Sequence, residues 1–298
     1  MIEHIVVFGA GAIGSVYAVK LAARHDVTVI ARREHVAAIG ANGLRLTGCE
    51  EITRPVKATT ELDAIEPGTL IVLTTKVNGN GAAAAALAGK VRSDTAIVCV
   101  QNGLGGEDIV RNGIAGRCLV LRAITHFGAI FRTPGVVEFK VAGYTLIEPG
   151  PRSAEIAGLF TESGLDGRVS DSIKADIWRK LVINCVINPI TAMIGTEVGG
   201  IASPGLGPLK HLVFEECLAV ARADGVMLDT DSVEMIDRVF APSRNIASMR
   251  QDLLSGRPTE IDHMNGAVVD LGRRHGIACP VNAAIAGIIR ALEAHSKR

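Results

Sequence analysis

The sequence predicts an α/β domain built on a doubly wound parallel sheet, followed by an all-α domain. Three observations carry that expectation. Short β-branched runs alternate with helical stretches through the first half of the chain, strand signals fade after Glu148-Pro149-Gly150-Pro151, and a glycine-rich turn joins the first strand to the first helix.

The near-continuous apolar runs Ile5–Phe8, Val27–Ile30, Leu70–Thr74 and Ala96–Val100 fit strands buried on both faces of a parallel sheet. Helical stretches lie between them, near Ala12–Arg24, His35–Asn42 and Ala82–Val91. From Cys118 to Glu148 the chain is rich in Thr, Val, Phe and Tyr, with turns at Thr133-Pro134-Gly135 and Ala142-Gly143. This stretch predicts antiparallel strands that finish the sheet. One amphipathic helix follows. From Ser172 onward the pattern predicts only helices, near 172–196, 206–224, 231–240, 244–254, 258–275 and 280–296, punctuated by Gly and Pro. The expected domains are therefore residues 1–171 and 172–298.

Composition narrows the function. The 298 residues are 48% hydrophobic and 21% charged, enough for a large core and unlike a disordered chain. Thirty-one basic residues balance 31 acidic ones, which argues against a nucleic-acid or membrane-surface binder held by bulk charge. Aromatic residues at 3% leave little for base stacking. The six cysteines form no C-x-x-C pair and sit mostly in apolar runs, as buried free thiols of a reducing compartment would. No secretory leader is expected, and the apolar run Leu181–Gly195 is broken by Asn184, Asn188 and Pro189, too short and polar for a membrane span. The expectation is a soluble cytoplasmic protein.

Val6-Val7-Phe8 leads straight into Gly9-Ala10-Gly11-Ala12-Ile13-Gly14 and then an apolar helix. In that context a G-x-G-x-x-G turn reads as a dinucleotide site. Gly9 permits the tight turn, Gly11 lets the backbone approach a diphosphate, and Gly14 lets helix and strand pack closely. The helix start offers free N–H groups to the phosphates. The second strand ends in Ala31-Arg32-Arg33, where an NAD-selective site would carry an acid for the ribose hydroxyls. A guanidinium there suits a 2′-phosphate instead, so NADP(H) is the expected cofactor. Lys76 and Asn102 follow the next two strands, where each either faces the nicotinamide half of the cofactor or is an ordinary loop residue.

Lys180, Asn184 and Asn188 recur every four residues on an otherwise apolar helix. Each step turns only about 40° around the helix, so all three share one face. Buried amides and ammonium groups need partners. A network between helices would satisfy them; a ligand cleft explains the set better, with amides to position a carbonyl and a cation to meet an oxyanion. Further on, Asn245 and Ser248 are placed one turn apart. Glu260 is placed in the first turn of the next helix, where it serves either the helix dipole or a site.

Taken together, the Gly9–Gly14 turn, Gln101-Asn102-Gly103, Trp178-Arg179-Lys180-Leu181 with Asn184 and Asn188-Pro189, and Ser248-Met249-Arg250-Gln251-Asp252 with Thr259-Glu260-Ile261-Asp262 resemble the ketopantoate reductase (2-dehydropantoate 2-reductase) family over essentially the whole chain. The resemblance implies a Rossmann-type domain, an all-helical domain and an active site in the cleft between them. It implies NADPH as hydride donor and a 2-oxo acid as acceptor, the product being (R)-pantoate on the route to pantothenate and coenzyme A. It further implies Lys180 and Glu260 as catalytic residues and Asn184, Asn188, Asn245 and Ser248 as substrate contacts. Lys76, Asn102 and Arg32 become cofactor contacts, Arg32 reading the 2′-phosphate. No metal, nucleic acid or membrane partner is expected, and a homodimer is left open. Two alternatives stand beside this reading: a paralogue reducing another 2-oxo acid, and an NADP-binding redox sensor without catalysis. A sensor has no need of the proton donor that Lys180 with Glu260 would supply.

Overall fold

The computed structural model describes residues 2–228 and 232–296. The chain divides into two units, Met1–Gln101 with Gly105–Ile173, and Asn102–Leu104 with Lys174–Arg298. In the first unit the elements run β1 (His4–Phe8), α1 (Ala12–Leu21), β2 (Asp26–Ile30), α2 (Arg33–Asn42), β3 (Leu44–Gly48), β4 (Ile52–Arg54), β5 (Lys57–Thr59) and β6 (Thr69–Leu73). They continue with α3 (Asn80–Ala88), β7 (Ala96–Cys99), α4 (Gly106–Ile114), β8 (Leu119–Thr125), β9 (Gly128–Thr133), β10 (Val136–Val141), β11 (Thr145–Ile147), α5 (Ser153–Glu162) and β12 (Gly167–Val169).

The main sheet has the order β12-β11-β8-β7-β6-β1-β2-β5. Every pairing in it is parallel except β8 with β11. Strand order reverses at β1, which lies between β2 and β6, and such a switch point is where an open α/β sheet takes its ligand. Register brings the carboxyl ends level. Phe8 stands opposite Ile30 and Leu73, and Leu73 opposite Cys99. The segments after β1, β2, β6 and β7 therefore leave one edge of the sheet together.

The expected antiparallel finish to this sheet is corrected in three ways. β8 joins it in parallel, β11 alone of this stretch runs antiparallel to it, and β9 and β10 leave to form a second sheet, ordered β4-β3-β10-β9. A short strand, β12, also follows α5, where no strand signal was read. The second sheet explains α1. That helix packs on β1, β2 and β6 on one side and on β3, β4, β9 and β10 on the other. A helix covered on both sides is apolar all round, and α1 is buried at Gly14–Val19 and Leu21. Its one phenol is satisfied, Tyr17 pairing with the Thr145 hydroxyl at 2.6 Å, and burial pushes the Tyr17 pKa up to about 12.

His35, in the first turn of α2, is 3% exposed. Its Nδ1 accepts the Gly135 N–H at 2.9 Å, and its Nε2 lies 3.4 Å from Ser15 Oγ. An Nδ1 that accepts cannot carry a proton, and burial lowers the His35 pKa below its usual 6.5. A histidine whose folded pKa is depressed contributes stability at pH above 6.5 and loses it as pH falls through and below that value. Urea unfolding of wild type is accordingly expected to lose midpoint between pH 7.5 and 5.5 more steeply than His35→Gln, whose amide oxygen can still accept from Gly135. Parallel losses in the two proteins would remove His35 as a source of acid sensitivity.

The second unit is helical, with no strand among its described residues: α6 (Ile173–Ile194), α7 (Gly207–Ala223), α8 (Val233–Phe240), α9 (Ser248–Leu254), α10 (Asn265–Arg274) and α11 (Pro280–Ser296). The expected start of α8 at residue 231 lies outside the described residues. The core gathers around α6, with Trp178, Cys185, Val186 and Ile190 each fully buried. The Trp178 indole N–H donates to Asp224 at 2.8 Å, and Lys174 meets the same carboxylate at 3.0 Å, pinning the start of α6 to the end of α7. Pro189 sits inside α6 and has no N–H to give the carbonyl of Cys185. That carbonyl instead accepts from the Asn265 amide at 3.1 Å, and the same amide group donates to Asn282 at 2.9 Å. The helix survives its proline because α10 supplies the missing donor.

All six cysteines are free, but Cys49 is exposed and Cys118 half-buried, so buried thiols describe only four of them. Burial pushes the Cys99 thiol up to about 12, which leaves it an unreactive core residue.

Candidate active site

In the first unit the glycine turn is built by contact as well as by conformation. Gly9 has φ +100°, and a Cβ there would lie 2.7 Å from the Thr75 amide nitrogen. A Cβ on Gly14 would collide with Thr74 Oγ1 and sit 2.6 Å from the Gly9 carbonyl oxygen. Gly11 differs. It is exposed, with nothing within 4 Å of where its Cβ would be. The backbone is thus open at the residue that a diphosphate must approach, beside the first-turn N–H groups of α1 that no helical carbonyl can reach. Ala10, Ala12 and Ile13 complete this turn. The arrangement fits a dinucleotide.

Arg32 follows β2 as the extended residue (φ −68°, ψ 153°) that precedes α2, and Arg33 is the first residue of that helix. Both are exposed, and among the described residues no carboxylate pairs with either. Lys76 is half-buried and opens a 3-10 turn, Val77–Gly79, directly after Thr74 and Thr75. Thr74 closes the edge, its hydroxyl donating to the Gly9 carbonyl at 2.8 Å.

In the second unit, Lys180, Asn184 and Asn188 lie on α6, the first two half-buried and Asn188 7% exposed. The Asn188 amide donates to the Met264 sulfur at 3.7 Å. Four residues before Met264 is Glu260, a carboxylate only 8% exposed. Asn102 belongs to this unit, and its side-chain amide donates to Glu260 Oε2 at 3.4 Å. The residues after Asn102 fasten the contact. Leu104 N–H donates to the His263 carbonyl at 3.1 Å, and Gly103, at φ +78°, lies so close to that carbonyl that any Cβ would overlap it. Asn188 and Asn102 thus both touch the 260–264 segment.

Two expectations are corrected at these positions. Glu260 is not in the first turn of a long helix: a 3-10 turn, Ile261–His263, follows it, and α10 begins only at Asn265. The reason is tertiary. Glu293 of α11 takes both the N–H and the hydroxyl of Thr259, while the Thr259 Oγ1 accepts the Ile261 N–H at 3.2 Å. Arg290 holds Asp262 at 2.8 Å. Bonds to α11 keep the chain from coiling earlier, and they fix where Glu260 stands. Likewise Asn245 and Ser248 are not one turn apart on a helix. Asn245 lies outside any helix or strand, its Oδ1 accepting the Ile246 N–H at 3.1 Å and its carbonyl the Val198 N–H at 2.8 Å. Ser248, exposed, is the first residue of α9.

One group was not legible from the pattern. Behind Lys76, Asn80 and Gln101 are buried at 0% and 4% exposure and bonded to one another. An asparagine at a helix start next to a glycine is an ordinary turn signal, and only the fold shows that it faces a neighbouring strand end.

A Rossmann-like α/β unit with a glycine turn, followed by a helical unit bearing a lysine–asparagine face and a buried glutamate, defines an oxidoreductase class. The comparisons specify it. The profile described as ketopantoate reductase PanE/ApbA matches residues 5–152, and that of its C-terminal domain matches residues 172–293. The 2-dehydropantoate 2-reductase of Pyrococcus horikoshii is 33% identical, over 97% of this chain and 97% of its own. A crystal structure of a PanE/ApbA family ketopantoate reductase from Ralstonia eutropha superposes with a TM-score of 0.92 at 32% identity, over 99% of this chain and 100% of that one. D-mandelate dehydrogenase, solved with NADH and anilino(oxo)acetate, also gives a TM-score of 0.92, at 25% identity and the same coverage. The chain belongs to the ketopantoate reductase family.

Proposed function

We propose that this protein reduces 2-dehydropantoate to (R)-pantoate with NADPH, a step toward pantothenate and coenzyme A, in the cytoplasm. Residues 1–171 act as the cofactor domain and 172–298 as the substrate domain. The observation that supports the reading best is the α6 face of Lys180, Asn184 and Asn188 in a unit where Asn102 bonds the buried Glu260. Bound at the Gly9–Gly14 turn, with Arg32 at its 2′-phosphate and Lys76 and Asn102 toward its nicotinamide end, NADPH supplies the hydride. Reduction of a 2-oxo acid leaves an alkoxide that needs a cation and a proton, and Lys180 can provide both. An ionised Glu260 repels an oxyanion, so its part is to orient the ammonium or to bond a substrate hydroxyl. Asn184, Asn188, Asn245 and Ser248 supply donors and acceptors that hold the acid in place.

The match to D-mandelate dehydrogenase at full coverage supports a second reading, reduction of a different 2-oxo acid such as an aryl one. Initial rates of NADPH and NADH oxidation with 2-dehydropantoate, 2-oxoisovalerate and phenylglyoxylate separate the two. The highest kcat/KM with 2-dehydropantoate supports the first, and the highest with phenylglyoxylate replaces it by the second. Cofactor binding without turnover on any of them would leave a redox sensor.

A further inference from the structure

A buried polar network lies behind the cofactor edge, and no catalytic step uses it. Asn80, the first residue of α3, is wholly buried, yet every polar atom of its side chain is bonded. Its Oδ1 accepts from the Thr75 hydroxyl at 2.9 Å and from the Gln101 amide at 3.1 Å. Its Nδ2 donates to the Gly106 carbonyl at 2.8 Å. Gln101 in turn donates to the Leu73 carbonyl at 3.1 Å. One amide thus ties together the end of β6, the end of β7 and the start of α4. The fit is close enough that a Cβ on Gly106 would stand 3.3 Å from Asn80 Nδ2.

The placement gives this network a consequence beyond stability. Thr75 and Asn80 bracket Lys76, so their hydrogen bond closes a loop with Lys76 inside it. Gln101 directly precedes Asn102, whose amide reaches Glu260. Thr74, beside Thr75, holds the carbonyl of Gly9 in the glycine turn. Buried polar groups cost free energy that apolar ones of the same shape would not. A network retained between two strand ends at a ligand edge has a use in fixing a geometry.

We propose that Asn80, with Gln101 as its partner, is a positioning residue that sets the loops carrying Lys76 and Asn102 against the cofactor. The proposal rests on the functional reading above. It predicts that loosening the network changes cofactor affinity and turnover in excess of what lost stability explains, because misplacement by about 1 Å can cost up to about 10²-fold.

The test uses Asn80→Ala, Asn80→Asp, Gln101→Leu and Thr75→Val in the full chain, with Tyr17→Phe as a control that removes a buried hydrogen bond elsewhere. The readouts are Tm, Kd for NADPH by fluorescence titration, and KM and kcat for NADPH oxidation, each compared at the same interval below the variant's own Tm. Asn80→Ala and Gln101→Leu are expected to lose roughly 10- to 100-fold in kcat/KM for NADPH and to raise its Kd. The double variant should fall short of the product of the two. Asn80→Asp keeps both accepted bonds but turns a carboxylate oxygen toward the Gly106 carbonyl in a buried place, so its loss should be at least as large as that of Asn80→Ala. Thr75→Val removes one hydrogen bond at constant shape and tests the idea, at about fivefold, even if the Asn80 variants do not fold. Tyr17→Phe should lower Tm and leave Kd and KM unmoved. Variants that lose Tm while Kd and kcat/KM follow the Tyr17→Phe control would overturn the proposal. Failure of the wild type to bind either nicotinamide cofactor would overturn the functional reading first, and is read from the wild type alone.

Discussion

Lys180→Ala is expected to lower kcat by about 10²–10⁴-fold while Kd for NADPH stays nearly unchanged. The expectation comes from where charge develops. Hydride arriving at the carbonyl carbon of a 2-oxo acid leaves an alkoxide next to a carboxylate, the least welcome place for a second negative charge. On the proposed reading, a half-buried ammonium on α6 would lower that barrier and, as a proton donor, would finish the reaction. Lys180→Arg separates the two roles, because a guanidinium keeps the charge and cannot give up its proton. Recovery in Lys180→Arg would assign an electrostatic role, and no recovery a proton-donating one. Glu260→Gln should act on the same step, so the double variant with Lys180→Ala should lose less than the product of the singles. The measurement is steady-state turnover at saturating NADPH on protein whose Tm and circular dichroism match the wild type. Lys180→Ala within a few-fold of wild-type turnover would reduce the lysine–asparagine face to a structural network.

What the sequence revealed and what it hid follow one physical line, between local and distant determinants. The glycine turn was legible because strand, turn and helix are consecutive in the chain, although the atoms that crowd Gly9 and Gly14 include Thr74 and Thr75 from a distant strand end. The parallel strands were legible because burial on both faces leaves continuous apolar runs. The second sheet was not, since β3 pairs with β10 across some ninety residues of chain and neither carries a signal of its partner. The same holds at the site. Residue types on α6 could be read from their spacing, but the pairing of Asn102 with Glu260 spans 158 residues. The turn at Thr259–Ile261 follows from a carboxylate on α11 that local propensity ignores. Helix α9 starts late for a similar reason, as the backbone of Ser243 and Asn245 is already bonded to Gly199 and Val198. Pro189 could be seen inside the helix; the Asn265 amide that compensates for it could not.

Arg32→Ala is expected to raise KM for NADPH roughly tenfold and leave KM for NADH almost unchanged. The end of β2 reads Ala31-Arg32-Arg33, and neither position offers the acid that would bond unmodified ribose hydroxyls. An arginine there can meet a 2′-phosphate through two parallel charge-assisted hydrogen bonds, which are worth about 1.5–3 kcal/mol where solvent is excluded. Arg32 is exposed, so screening holds the effect to the lower end of that range, and tenfold corresponds to about 1.4 kcal/mol. The same exposure makes a second mark. Raising ionic strength should weaken NADPH more than NADH in the wild type, and this difference should shrink in the variant. Arg33 begins α2 beside it, and a phosphate lying over that helix start would share its charge between both side chains. Arg32→Ala with Arg33→Ala should then remove most of the remaining preference, while Arg33→Ala alone should cost less than Arg32→Ala. Equal NADPH and NADH efficiencies in the wild type, or a double variant with an unchanged ratio, would take the 2′-phosphate away from this strand end and leave the glycine turn serving either nicotinamide cofactor.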